Sequence, residues 1–226
     1  ASVLDPDLLR RNQPKVVFTS LHGTGRVASL PLLRRLGLGV SEVAAQADPD
    51  PLFRTVRSPN PENAEALSMA IEQADREGAD LVAATDPDAD RMAVAVRGPD
   101  GDMVLLTGNT IGSLLAEFRI GQLEHIGLLD AATRTNAAVV KTFVTTPLLE
   151  KIAAAHGLKT IDTLTGFKWI GAKLRRYQET LETALRETEG LALRYDRTAY
   201  ATRARLLLRH STFYVFGGEE SYGYLA

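Results

Sequence analysis

The chain has 226 residues, 45% of them hydrophobic, which is ample for a real core and fits two domains better than one. Its 26 basic and 28 acidic side chains leave a net charge of -2, which argues against a nucleic-acid partner, and with no cysteine it has no disulfides, thiolate metal sites or thiol nucleophiles. No uncharged apolar run reaches membrane-spanning length and the N-terminal stretch ASVLDPDLLRRNQ has no signal-peptide core, so the expectation is a soluble, cytoplasmic, globular protein with no membrane partner.

Taken in chain order, KVVFTSL (15–21) reads as a short buried strand, followed by the glycine loop HGTG (22–25). RVASLPLLRRLG (26–37) has helical spacing and stops at Gly37. A second apolar run, GVSEVAA (39–45), precedes a loop rich in Asp and Pro at 48–51. The stretch SPNPENAEALSMAIEQADREG (58–78) predicts a helix with Asn60 as cap, Pro61 at the first position, Glu62 near the positive end of the dipole and Gly78 as stop. ADLVAAT (79–85) is a continuous apolar run, the mark of a strand covered on both faces. MAVAV (92–96), the turn GPDGD and MVLLT (103–107) form a strand pair, and GNTIGSLLAEFRI (108–120) closes the unit as a helix.

A boundary is expected at 121–127, between Gly121 and Gly127, giving domains of 1–125 and 126–226. The second repeats the pattern: AAVVKTFVTT (137–146) as a strand, PLLEKIAAAHG (147–157) as a helix with Thr146 as cap, LKTIDT as a strand and LTGFKWIGAKL (164–174) as a loop into a helix. From 172 to 212 basic side chains outnumber acidic ones on a helical stripe of Leu174, Tyr177, Leu181 and Leu185; this reads as a solvated helical insertion rather than a binding patch. STFYVFGGEESYGYLA then ends in a glycine–carboxylate loop, after which more structure is expected, so the second domain reads as truncated. The fold class is α/β, two consecutive units with mixed, mainly parallel sheets, whose ligand end is the C-terminal edge of the strands. Both HGTG and DPDADR follow strands at that edge.

Asp86, Asp88 and Asp90 leave a strand at alternate positions and are followed at once by Arg91. A curled loop brings three such carboxylates onto one hard cation, and all-oxygen ligands favour Mg²⁺ or Ca²⁺. An EF-hand beginning at Asp86 needs Gly at its sixth position and Glu at its twelfth, where this chain has Arg91 and Arg97. A surface turn with scattered acids, and a structural Asp–Arg pair, remain as bland readings. An aspartate-nucleophile phosphatase also opens with Asp-x-Asp, but wants Thr or Val at position 90 and a lysine and acid pair downstream. A guanidinium beside a carboxylate-held cation suits a phosphate, which makes this a Mg²⁺-dependent phosphate site.

TDPDADR (85–91) resembles the metal loop of the α-D-phosphohexomutases, the phosphoglucomutase/phosphomannomutase family. Four further stretches in the family's order carry the resemblance: SLHGTG (20–25), SPNPEN (58–63), TGFKWIG (165–171) and GGEESYGY (217–224). The resemblance implies Mg²⁺ on Asp86, Asp88 and Asp90, with a phosphoserine oxygen as fourth ligand and Arg91 on a phosphate. It places Glu219 and Ser221 on sugar hydroxyls, in a two-glutamate form nearer the glucose-preferring branch than the mannose/glucose dual branch. Thr165, Gly166 and Lys168 match a loop that reaches substrate, and Lys141 is a further phosphate or sugar contact unless it is an ordinary surface lysine. His22 and Gly23 would shape the loop facing the phosphoserine, in preference to a Ser20–His22 nucleophilic pair.

The family's serine loop of the Thr-Ala-Ser-His-Asn-Pro type and its phosphate loop of the Arg-Pro-Ser-Gly-Thr type are both missing. The resemblance therefore implies domain 2 and part of domain 3 of a mutase, with domains 1 and 4 of the same polypeptide and a phosphosugar as partners. The whole enzyme would interconvert hexose 1-phosphate and hexose 6-phosphate through hexose 1,6-bisphosphate (glucose 1,6-bisphosphate in the glucose branch), and the fragment alone would be inactive. A phosphomannomutase, a phosphopentomutase and a non-catalytic Mg²⁺ or sugar-phosphate module are the alternatives.

Overall fold

The computed structural model describes residues 6–226; residues 1–5, the start of the first expected domain, lie outside the described residues. The chain divides into two compact units, one reaching Ile111 and including Ser221–Gly223, the other formed by Gly112–Glu220 with Tyr224–Ala226.

The first unit is built on five strands, β1 (Lys15–Thr19), β2 (Gly39–Glu42), β3 (Leu81–Thr85), β4 (Met92–Arg97) and β5 (Met103–Leu105), in the order β2-β1-β3-β4-β5. β2, β1 and β3 run parallel, and β4 and β5 continue the sheet antiparallel. Its helices are α1 (Pro6–Asn12), α2 (Gly25–Arg35) and α3 (Ser68–Glu77). Central β1 carries Val16, Val17 and Phe18 at 1% exposure or less. Each such side chain contributes about 1.5–3 kcal/mol on burial, which is why the parallel pairing forms around it. Val17 and Val82 are register partners, and Ala70 and Ala74 of α3 pack on that face, where small side chains let helix and sheet approach.

Two expectations change here. β3 is not evenly covered: Val82 and Ala84 are buried while Leu81 and Ala83 are half-buried, because α3 packs on the Val82 face. The helix expected from Asn60 begins at Ser68, after a 3₁₀ turn over Ala64–Leu67. Asn60 instead closes a turn: its Oδ1 accepts from the Glu62 N–H at 3.0 Å and its carbonyl from Asn63 N–H at 3.0 Å. That turn releases Glu62 from any helix. Gly78 ends α3 in the left-handed conformation, as its position implies.

The second unit has four strands, β6 (Ala137–Thr142), β7 (Lys159–Thr163), β8 (Phe213–Gly218) and β9 (Tyr224–Leu225), in the order β7-β6-β8-β9. β7, β6 and β8 are parallel and β9 is antiparallel to β8. Its helices are α5 (Leu148–Ala155), α6 (Phe167–Glu189), α7 (Tyr200–His210) and most of α4 (Gly108–His125). Every residue of β6 is buried, and Ile120, Leu123, Val139, Leu149, Leu181, Leu207 and Phe216 share one core.

The two units meet at Ile111/Gly112, earlier than the boundary expected at 121–127. Gly121 lies inside α4, where a glycine costs only about 1 kcal/mol and the buried neighbours Ile120 and Leu123 hold the helix. The segment 172–212 is helical, formed by most of α6 and by α7, but it is not simply solvated: Ala204, Leu207 and Leu208 of α7 are buried in the core. Among the described residues no helix is long and apolar enough to cross a membrane.

Candidate functional site

In the strand order β2-β1-β3 the chain winds to opposite sides of β1, which opens a crevice at the C-terminal ends of β1 and β3. The loop Ser20–Gly25 leaves β1 there and the loop Asp86–Arg91 leaves β3. They are bonded together: the Thr24 N–H and its hydroxyl both donate to the Pro87 carbonyl, at 2.8 and 3.1 Å. Gly23 is required for this approach, since a Cβ there would stand 2.2 Å from the Pro87 Cα. Leu21 and His22 both hold positive φ, 47° and 66°, to turn the loop.

His22 is tied down on both sides. Nδ1 lies 2.8 Å from the Asp48 carbonyl, which only accepts, so Nδ1 carries the proton; Nε2 lies 2.7 Å from the Thr55 hydroxyl. Both nitrogens are thereby occupied away from Ser20, whose buried Oγ has no partner among the described residues.

Ala89, at φ 61°, curls the aspartate loop, and its N–H donates to the Asp86 carbonyl at 3.0 Å. The curl gathers one carboxylate oxygen from each of Asp86, Asp88 and Asp90 within 4.8 Å of one another, Asp86 buried and the other two exposed. Burial pushes the Asp86 carboxyl up to about 6, and the charges of Asp90 and Asp88 push the same way against the Arg91 N–H, which donates to its Oδ1 at 3.0 Å. Three hard oxygens around a buried, poorly neutralised carboxylate fit Mg²⁺ or Ca²⁺ and do not fit a soft metal. The Arg91 guanidinium stands at the rim, with Nη1 3.3 Å from Glu62 and Nε 3.8 and 3.9 Å from Asp86 and Asp90. Of the GEES loop, Ser221 packs with this unit, and the next residue, Tyr222, accepts from the Met92 N–H at 3.1 Å.

The second unit repeats the winding as β7-β6-β8, so its crevice lies between β6 and β8. Lys141, at the end of β6, is only 4% exposed. Its ammonium pairs with Asp162 at 2.9 Å and donates to the Thr145 and Thr142 carbonyls at 3.2 and 3.5 Å. It is therefore not the surface lysine of the bland reading, and its three donors are engaged inside the fold. Glu219 accepts from the Gly166 N–H, fixing the loop at φ 108° just before α6. Glu220 accepts from the hydroxyls of Thr142 and Thr145 at 3.3 and 3.2 Å. Thr165 is exposed, and so is Lys168, whose ammonium lies 5.3 Å over the Trp169 ring.

Glu62, the partner of Arg91, stands in a stretch that reads as a helix start, and Glu220 stands beside Glu219, which alone matches a sugar-contacting position, so neither is singled out by the sequence. The adjacent Thr142 and Thr145 hydroxyls, three apart after a buried strand, were the available signal for Glu220.

Against known proteins, the family model for phosphoglucomutase/phosphomannomutase alpha/beta/alpha domain II matches residues 3–101, and that for domain III matches residues 107–185. The chain belongs to the phosphoglucomutase/phosphomannomutase family. It is similar to phosphoglucomutases of Staphylococcus epidermidis, 34% identical over 94% of this chain and 32% of the relative, and of Staphylococcus aureus, 37% identical over 73% and 29%. A phosphoglucomutase/phosphomannomutase family protein of Burkholderia thailandensis shares the fold with TM-score 0.63 at 19% identity, covering 93% of this chain and 34% of that one. The chain thus spans about a third of the length of the curated phosphoglucomutases it matches.

Proposed function

We propose that this chain supplies the metal site and sugar-contacting loops of a phosphoglucomutase-type phosphohexomutase, an enzyme that interconverts hexose 1-phosphate and hexose 6-phosphate through a phosphoserine and a hexose 1,6-bisphosphate. The observation that carries the reading is the cluster of Asp86, Asp88 and Asp90 beside Arg91 at the β1/β3 crevice. Kinship to phosphoglucomutases at 34–37% identity supports glucose as the sugar.

Asp86, Asp88 and Asp90 would hold Mg²⁺, which when bound offsets charge on the phosphoserine. Arg91, kept in place by Glu62, offers a planar, two-pronged donor to a phosphate. Glu219 keeps one carboxylate oxygen on Gly166 and presents the other to a sugar hydroxyl, with Ser221 as a second hydrogen-bonding group. Lys168, exposed on the first turn of α6, neutralises a substrate phosphate. The serine and a second phosphate loop would come from other parts of the polypeptide, which accords with the missing serine string and with the third of its relatives that this chain spans.

A coupled assay for glucose 6-phosphate formed from glucose 1-phosphate tests this. The longer polypeptide turns over, Asp88→Asn within it reduces the rate by at least about tenfold, and the 226-residue chain alone is inactive. Turnover by the isolated chain, or full activity of the Asp88→Asn polypeptide, would contradict the reading.

A further inference from the structure

The two glutamates that follow β8 are neighbours in the chain, but different loops of the second unit hold them. Glu219 accepts from the Gly166 N–H, just ahead of α6. Glu220 accepts through Oε2 from the Thr142 and Thr145 hydroxyls, ahead of α5, at 3.3 and 3.2 Å. Those hydroxyls also lie 2.7 Å from each other, so three oxygens share two hydroxyl hydrogens. Only one hydrogen fits between the threonines, which leaves the other for Glu220.

The threonine turn is a firm base for this bond. Thr142 and Thr145 are 0% and 5% exposed, and the Thr145 N–H donates to the Thr142 carbonyl at 3.0 Å. From the other side the Lys141 ammonium, paired with Asp162, donates to both carbonyls of the turn. Lys141 is the register partner of Asp162 on β7 and of Gly218 on β8. One network thus crosses the C-terminal edge of the sheet from β7 through β6, and Glu220 ties the end of β8 into it. Among the described residues the Glu219 side chain has the Gly166 N–H as its one hydrogen-bond partner. A glutamate side chain is otherwise free to change rotamer, so where its carboxylate points depends on how the backbone at 219–220 is held.

We propose that Glu220 is a positioning residue: it does not touch the sugar, and it holds the backbone so that Glu219 faces the sugar hydroxyl. The sugar half of this rests on the reading of Glu219 under the proposed function, so two measurements separate them. In the 226-residue chain, amide hydrogen exchange at Gly166 reports the Glu219 bond. Glu220→Ala should speed it about tenfold, and Glu220→Gln, which keeps an acceptor oxygen, should leave it within about twofold. Thr142→Val with Thr145→Val should release Gly166 to the same extent as Glu220→Ala, which keeps the test open if the latter misfolds. In the longer polypeptide, Glu220→Ala should lower kcat/KM for glucose 1-phosphate about tenfold, mainly through KM, with Glu220→Gln restoring most of it. On the double-valine background, Glu220→Ala should add little further loss. Unchanged exchange at Gly166 overturns the proposal, and so do additive kinetic losses, which would put Glu220 on the substrate itself. A longer polypeptide that does not convert glucose 1-phosphate counts against the proposed function, while release of Gly166 still supports the clamp.

Discussion

Gly23 and Pro87 touch so closely that a side chain on the glycine would overlap the proline backbone, with a Cβ 2.2 Å from the Pro87 Cα. The contact locks the HGTG loop after β1 to the aspartate loop after β3, and Thr24 closes the lock with two hydrogen bonds to the same proline. Gly23→Ala must displace backbone rather than a flexible side chain. It should lower the stability of the first unit by about 1–3 kcal/mol and weaken divalent-cation binding together with it. Thermal unfolding and Mg²⁺ titration of the same variant check both; unchanged cation affinity would separate the lock from the metal loop.

Arg91 and Glu62 form a half-exposed pair, with side chains 40% and 33% exposed. Such pairs are worth about 0–1 kcal/mol, so Glu62→Gln should leave the melting temperature nearly unchanged. The same change frees the Arg91 guanidinium and should lower kcat/KM of the longer polypeptide by about three- to tenfold, with Glu62→Asp recovering part of it. A large loss of stability would make Glu62 structural instead.

The pH dependence follows from Asp86. Its carboxyl titrates near 6 in the folded chain against 3.8 for an unperturbed aspartate, chiefly because it is buried. Between those values the folded state holds a proton that the unfolded state lacks, so this group's contribution to stability is full below about 4 and is lost as pH rises through about 6. A Mg²⁺ ion held as proposed would compete with that proton. Denaturation at several pH values should show the loss without Mg²⁺ and its removal at saturating Mg²⁺, with apparent affinity rising over the same interval.

Lys141 offers a contrast between support and catalysis. It is buried, and it carries one carboxylate and two backbone carbonyls. Lys141→Ala removes that partner and opens space beside β6, for a cost of about 2–4 kcal/mol to the second unit. Were the lysine a substrate contact instead, the variant would melt normally and lose only sugar-phosphate affinity.

Much of this was legible in the sequence where local chemistry decides the outcome. The strand–loop–helix grammar, the left-handed stop at Gly78 and the alternate aspartates followed by arginine all read directly. What escaped depended on partners distant in sequence. Asn60, Pro61 and Glu62 make a sound helix start by propensity, yet Glu62 serves Arg91, 29 residues on, and the helix waits until Ser68. Lys141 looks like any lysine until β7 brings Asp162 alongside it. The arginines of 172–212 are nearly all exposed, as the sequence implies, whereas the burial of Ala204, Leu207 and Leu208 rests on the packing of α7 into the core, which the stripe on α6 alone does not show.

The proposed function requires the three aspartates of one loop to hold a divalent cation. Isothermal titration of Mg²⁺ into the 226-residue chain addresses it most directly, with Asp86→Asn, Asp88→Asn and Asp90→Asn measured alongside. One site per chain, weakened at least about tenfold by each substitution, is expected. Binding that survives all three substitutions, or no binding at neutral pH, would contradict it.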